Sequence, residues 1–489
     1  MEEQPQLNSS QQLFRSGLIV GTASGIGLVI GVIKVKALAL LLGAAGVGLA
    51  GIFLNIVSLA STLAGCGIRS SGVRELSVAE EHSIATVRRA LWTVHLILGV
   101  VGLSVLWVFR HAIATVTFGD DTYAATVGYL GIGVFFTLVT SSQSALLQGL
   151  RRISDIARVN ILSALLSAIA GICTIWYWGS DGILLFVLVV PIAGFFVSGF
   201  FVRRIESSPS NGSWSDIPAT WLALIRLGLP IMGGSLLILV TELATRSIIS
   251  RTLSLEATGY FQAVWSISMT YIGFILVAMG TDYFPRLSKI IKDHRQATVL
   301  INEQVEIALL MTGPILLLMI SLASYVIPIL YSPEFEPAID VLRWQMLGDI
   351  LKVSVWPMGF ILLALSRGDL FFGTQFIWSC TFLGVVILGV PQLGILASGI
   401  GFCVSYLAFF FVMLLLANHL IGFRLQPRNS IFLLSLLTVA ISIIIVSSSS
   451  LTIGVIFGIL STLVVSAYCI WRLDELIGIR AWLINKFNV

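Results

Sequence analysis

Asp349 and Lys352 lie three residues apart in the apolar run 338–365, and Glu242 and Arg246 lie four apart at the outer end of the run 221–245. Spacings of three and four put side chains on one face of a helix, where opposite charges pair. An ionised group near the centre of a bilayer costs on the order of 3 kcal/mol on insertion scales, so such a residue faces a cavity or a partner rather than lipid. At about 100° per residue, Gln345, Asp349, Lys352 and Trp356 fall on one stripe. That stripe reads as a cationic, hydrogen-bonding wall for an anionic ligand, with Asp349 setting the charge of Lys352 or relaying a proton. The alternative is a pair that neutralises itself and fixes packing. Five cations are candidates for holding an anion: Arg246, Arg343, Lys352, Lys34 and Lys36. Asp349 and Glu242 are candidates for ion coupling, and Asn55, Gln143 and Gln345 for hydrogen bonds to sugars. For Lys34 and Lys36 the competing reading is a long side chain reaching up to the headgroups. For Asn55 and Gln143 it is a hydrogen bond between helices.

The elements that must carry these residues follow from composition. Of 489 residues 57% are apolar and 11% charged, and mean hydropathy is +1.00. Nearly every segment between polar breaks is long enough to cross a bilayer, which takes roughly 20 residues, so the chain reads as an all-α polytopic membrane protein. Five scattered cysteines without metal-ligand spacing point to neither disulfides nor a metal site. Glu2 and Glu3 stand where a signal peptide has its basic region, so the first apolar run is expected to be retained. Nothing suggests nucleic-acid binding. There is no glycine-rich nucleotide loop with a lysine, no His/Glu metal pair on one helix face and no serine elbow. No loop is long enough for a catalytic domain. A transporter without a cofactor is expected, not an enzyme.

The spans fall at 14–35, 46–68, 91–109, 123–147, 159–178 and 182–202, then 221–245, 257–284, 304–330, 338–365, 371–390 and 394–417, with a last pair at 429–447 and 451–470. That is about 14 transmembrane helices, with a tight turn at Ser447 to Ser450 inside the last pair. The polar stretch from Arg203 to Thr220 reads as a linker, and Arg69 to Arg89 as a connector or a short amphipathic helix at the inner surface. Aligned without gaps at an offset of 211 residues, Arg226 falls on Arg15, Gly228 on Gly17, Leu229 on Leu18, Ser235 on Ser24 and Gly259 on Gly48. This marks an internal duplication. The expected organisation is an N-lobe at 1–205, a C-lobe at 206–420, and an extra helix pair with a tail at 421–489. Two like halves in a membrane suggest a transporter with its substrate site at the repeat interface. Of the 28 Lys and Arg residues, 21 fall in loops on one side, from Arg15 through Arg69, Arg151, Arg286 and Arg424 to Lys486. The positive-inside rule then places both termini in the cytoplasm. Six passes per half make the two repeats parallel.

Phe14-Arg-Ser-Gly-Leu, Leu42-Gly-Ala-Ala-Gly-Val-Gly and Phe118-Gly-Asp-Asp-Thr-Tyr-Ala in the first half resemble the polysaccharide transporters of the MATE-like flippase superfamily. So do Ile225-Arg-Leu-Gly-Leu-Pro, Leu255-Glu-Ala-Thr-Gly-Tyr-Phe and Leu330-Tyr-Ser-Pro-Glu-Phe in the second. The likeness covers roughly residues 13 to 420 and is strongest to the Wzx-type O-antigen translocases. It implies a flippase of the bacterial inner membrane that moves an undecaprenyl-diphosphate-linked oligosaccharide to the periplasmic leaflet by alternating access. An H+ or Na+ counter-ion and polysaccharide polymerase or assembly partners come with that implication. Two departures matter. Twelve spans are usual for Wzx proteins and fourteen for lipid II flippases, yet the latter carry an Arg-Asp pair near the end of the first helix, where this chain has Lys34-Val35. A lipid II flippase is therefore the second reading. A MATE-type drug or cation antiporter would be expected to use buried carboxylates without this excess of cations. A membrane polysaccharide polymerase or ligase would need a long periplasmic loop.

Overall fold

A hydrocarbon environment offers no partner for backbone N–H and C=O groups, so a chain this apolar must satisfy them within helices. The computed structural model describes residues 9–78, 81–205 and 217–477, and among them every regular element is helical. The linker residues 206–216, and Arg480, Trp482 and Lys486 of the tail, lie outside the described residues. The chain divides into two compact units, 1–259 and 260–489.

The first unit holds α1 (Ser9–Gly65), α2 (Ile68–Val78), α3 (Glu81–Val108), α4 (Arg110–Phe118), α5 (Ala124–Gly149), α6 (Ile153–Trp178), α7 (Ile183–Arg203) and α8 (Ile217–Thr252). Gly43 breaks α1 into two arms with φ 64° and ψ −164°, a conformation that only glycine adopts without strain. Helices α6 and α7 are likewise separated only by a 3-10 turn at Gly179–Gly182. The connector after the first two passes is helical, as its amphipathic pattern suggests. Its apolar side is spent on protein rather than on the membrane surface, since Ile68 and Leu76 join Leu91, Val94, Leu146 and Leu224 in one buried cluster.

The first helix of the second repeat, α8, packs within this unit against α1, α2, α3 and α4. Ser71 Oγ donates to the Leu224 carbonyl at 2.8 Å, and Trp221 Nε1 to the Ala90 carbonyl at 3.1 Å. The start of the next helix also closes on α1. A Cβ placed on Gly48 would lie 2.3 Å from the Leu255 carbonyl oxygen, and one on Gly259 would lie 1.9 Å from that of Ala44. Gly48 with Gly259, and Ala44 with Leu255, are each separated by 211 residues. The contact is therefore reciprocal, each repeat offering the same glycine to the same carbonyl of the other.

The second unit contains α9 (Leu255–Ile267, from Tyr260 on), α10 (Gly273–Ile290), α11 (His294–Ser321), α12 (Ala323–Leu330), α13 (Ala338–Ala364), α14 (Gly368–Leu393), α15 (Leu396–Ile421), α16 (Pro427–Ser449) and α17 (Leu451–Ile477). Helix α13 is its core and packs on α10, α11, α14 and α15. A π-helical turn at Ser268–Ile272 joins α9 to α10. Asp293 starts α11 by accepting from the Arg295 and Gln296 amides, both at 3.1 Å. Pro427 opens α16, where its missing N–H costs nothing. Ser450 alone separates α16 from α17, and Gly454 lets the two helices close on Ser447.

Eleven helical stretches among the described residues are long and apolar enough to cross a membrane. Two of them, 21–65 and 153–203, contain two passes each, on either side of Gly43 and of the 3-10 turn. With the π-interrupted stretch from Leu255 to Ile290, these make the fourteen passes expected from the sequence.

The last pair is held by polar contacts as well as apolar ones. Asn302 of α11 donates to the Arg424 carbonyl at 3.1 Å and accepts from the Gln426 amide at 2.8 Å, while Asn429 Nδ2 donates to the Asn302 carbonyl at 2.8 Å. One turn on, the buried Glu306 accepts from Arg472 Nε at 2.7 Å and lies 3.5 Å from Arg428 Nε. Glu475 completes the network on Arg472.

Two stability outcomes follow. Gly259→Val is expected to destabilise the protein by about 1–3 kcal/mol through overpacking, whereas Gly359→Val, where nothing lies within 4 Å, stays near wild type; thermal unfolding in detergent reads the difference. Glu306→Ala leaves Arg472 with Glu475 alone, a loss of about 1–3 kcal/mol for a charge-assisted hydrogen bond, and is expected to expose the 422–427 connector to limited proteolysis first.

Candidate functional site

The chemistry-bearing residues form two clusters, one in each unit. In the first, the i,i+4 spacing on α8 brings Arg246 Nη1 to Glu242 Oε2 at 3.1 Å. Asn55 Nδ2 of α1 donates to the same oxygen at 3.0 Å. Arg246 is 3% exposed, and the Asn55 side-chain oxygen is buried without a hydrogen-bond partner. A cation, a carboxylate and an amide with spare acceptor capacity are thus gathered inside a helix bundle.

The second cluster is built on α13. Asp349 is fully buried near the middle of this helix. Its Oδ1 accepts from Lys352 Nζ at 3.1 Å and its Oδ2 from Ser268 Oγ at 2.6 Å. Ser268 opens the π-helical turn, which carries its hydroxyl to the carboxylate, and Met269 Sδ of the same turn lies 3.6 Å from Lys352 Nζ. The Phe402 ring of α15 sits 5.7 Å from the ammonium, a cation–π distance. Gly348 makes room for that ring, since a Cβ there would be 2.6 Å from Phe402 Cδ1. Gln345, one turn from Asp349, is fully buried, and neither of its amide atoms has a partner. Lys352 retains 12% side-chain exposure, so of the pair it is the member that can meet a ligand.

The remaining candidates lie elsewhere. Arg343 donates to Asp340 at 2.9 Å and to Ser324 of α12 at 3.3 Å. Nine residues of helix, about 13 Å of rise, separate it from Lys352. Lys34 turns its ammonium over the Phe186 ring, 4.3 Å from the centroid, and its stem abuts Gly171; Lys36 is half-buried. Gln143 accepts from Ser198 Oγ and so ties α5 to α7. Ser268 and Met269 were not singled out in the sequence, because a serine and a methionine in an apolar run carry no signal until a π turn aims them.

The sequence motifs have a structural use. In Phe118-Gly-Asp-Asp-Thr-Tyr-Ala, Gly119 ends α4 with φ 93°, and Asp120 accepts from the Thr122 amide at 2.9 Å. Hydrogen bonds from Thr115 and then His111 hold the Asp121 carboxyl below the usual carboxylate range. Phe118 and Tyr123 pack on Phe53. In the second unit Phe335 packs against Tyr260 and Tyr331, and Tyr331 donates to the Ala263 carbonyl at 3.2 Å.

This architecture, a multi-pass helical membrane protein with MATE-like topology, is shared with solved transporters. The lipid II flippase MurJ, in an inward closed conformation, superposes with a TM-score of 0.71 at 14% identity over 95% of this chain and 100% of MurJ. An inward-facing multidrug resistance MATE transporter of the MOP superfamily gives 0.62 at 16% identity, covering 82% and 95%. The chain belongs to the polysaccharide biosynthesis protein family, whose model matches residues 37–340. Its relatives include the lipid III flippase of Escherichia coli (strain K12), 26% identical over 70% of this chain and 81% of that protein. The lipopolysaccharide biosynthesis protein WzxC of the same organism is 20% identical over 78% and 76%.

Pairing at α13 is measurable by a double-mutant cycle. Lys352→Met leaves Asp349 buried and uncompensated and is expected to destabilise by about 3–5 kcal/mol. The double variant Asp349→Asn/Lys352→Met is expected to recover most of that loss in thermal unfolding.

Proposed function

We propose that the protein is a flippase that carries an undecaprenyl-diphosphate-linked oligosaccharide from the cytoplasmic to the periplasmic leaflet of the bacterial inner membrane. The observation that carries this reading is Lys352, a partly accessible ammonium at mid-helix, held among the described residues by groups it can exchange: a carboxylate, a thioether and an aromatic face. An anionic diphosphate in a low-dielectric setting competes directly for such a cation. Arg246, held by Glu242, is the corresponding group of the first unit. Asn55 and Gln345 carry buried amide atoms without a hydrogen-bond partner, which could serve sugar hydroxyls only in a conformation that opens them to the ligand. Membership of the polysaccharide biosynthesis family and the lipid III flippase relative support the substrate class.

Transfer of Lys352 to a diphosphate leaves Asp349 with Ser268 alone. A buried carboxylate in that position takes up a proton or Na+, which couples substrate binding to an ion gradient through alternating access. The distribution of Lys and Arg supports cytoplasmic termini. Lipid II is the second reading, favoured by the fourteen passes and the fold shared with MurJ.

Leaflet accessibility of a fluorescent undecaprenyl-diphosphate oligosaccharide in proteoliposomes tests the proposal. Lys352→Met, rescued for stability by Asp349→Asn, and Arg246→Met are each expected to slow flipping by about tenfold or more, the loss of one charge-assisted contact. Intact protein that moves no such glycan but exports a cationic dye sinks the reading. In the same vesicles, Asp349→Asn is expected to make the rate indifferent to imposed H+ and Na+ gradients.

A further inference from the structure

A groove of about 570 Å³ runs along α8 inside the first unit. Leu59 of α1, Val116 of α4, and Val240, Leu243 and Ile248 of α8 line it, with Arg251 at one end. From Val240 to Arg251 the helix rises about 16 Å, roughly half the ~30 Å hydrocarbon thickness of a bilayer. The groove is therefore one leaflet deep. Its character changes along its length, with hydrocarbon side chains at the Val240 end and Ser247, Arg251 and Thr252 at the α4 end.

Arg251 differs from the cations around it. Arg246, little more than a turn away, is paired with Glu242, and Arg110 lies over Trp107. Arg251 is exposed and donates Nη1 to the Val116 carbonyl at 3.3 Å. Among the described residues it pairs with no carboxylate. A guanidinium has five N–H donors in a fork that matches phosphate oxygens, and the Val116 carbonyl occupies one of them. The site thus presents a positive charge with no carboxylate partner among the described residues, at the end of the candidate span 232–252 and at the mouth of a largely apolar groove about half a bilayer's hydrocarbon thickness in length.

We propose that this groove binds an anionic phospholipid, one acyl chain lying between α1, α4 and α8 and its phosphodiester resting on Arg251. One guanidinium matches the single charge of a phosphodiester, whereas a diphosphate calls for more cations. The polarity gradient runs in the direction in which a phospholipid stands in its leaflet. A bound lipid would bridge the short helix α4 to α8, adding to the hydrogen bond between Arg251 and Val116. This inference is independent of what the protein transports.

The test uses the full-length protein in zwitterionic nanodiscs with trace phosphatidylglycerol or phosphatidylcholine carrying a diazirine at the chain end, followed by mapping of labelled peptides. Labelling of the 240–252 segment is expected to favour phosphatidylglycerol by about tenfold, the worth of a charge-assisted contact. The preference should vanish in Arg251→Gln and persist in Arg251→Lys, with a cooperative thermal unfolding transition retained in both. Ala244→Trp, which fills the groove, should suppress labelling by either lipid. Equal labelling by the two lipids, or a preference that survives Arg251→Gln, overturns the proposal. Displacement of the label by undecaprenyl phosphate at lower concentration than by unlabelled phosphatidylglycerol assigns the groove to a different lipid and also overturns it.

Discussion

An ionised carboxylate inside a membrane-spanning bundle persists only if other groups replace the water it has lost. Asp349 is that group here, and much of the second unit is arranged around it. The π turn brings a hydroxyl, α13 itself brings the ammonium three residues on, and Gly348 admits the Phe402 ring against the ammonium. Each of these is an unusual local choice for an apolar helix, and together they keep one charge pair intact at mid-helix. Such an arrangement is a poor device for stability alone, because a well-packed apolar pair is often as stable as a buried ion pair. Its cost is easier to understand in a protein whose ammonium must sometimes leave its partner.

The first unit meets the same constraint with different parts. Glu242 places one oxygen between an arginine and an amide, and the buried Asn55 oxygen remains unused. Both clusters therefore combine a neutralised pair with an amide that has capacity to spare. Around them the contacts are of another kind. Glycines in reciprocal positions let backbones approach, and aromatic side chains of the motifs pack within each unit, Phe118 on Phe53 and Phe335 on Tyr260. The groups that hold the helices and the groups that can meet a ligand are largely separate.

Much of this was legible in the sequence, because the bilayer reduces prediction to a search for apolar lengths and misplaced charges. The passes, the pairing of Glu242 with Arg246 and that of Asp349 with Lys352 follow from hydropathy and helical spacing. Three things do not. The π turn has no compositional mark, so Ser268 looked like any serine in an apolar run. A lysine near a helix end reaches in whatever direction its neighbours allow, and for Lys34 that direction was set by Phe186 and the space at Gly171. Glu306 and Arg472 are 166 residues apart, and no local pattern announces their meeting. Helix α8 packs against α1, α2 and α3, with its Leu224 carbonyl accepting from Ser71 and its Trp221 indole donating to Ala90.

The anchoring of α16 and α17 also bears on how a fourteen-helix chain relates to twelve-helix ones. A gene cut near residue 421 would remove Arg428 and Arg472 and leave Glu306 facing the bilayer with its charge unmatched, beside an Asn302 that had lost its partners from residues 424 to 429. A chain without the helix pair would thus need different residues on α11, at positions 302 and 306, to leave no buried polar group unmatched.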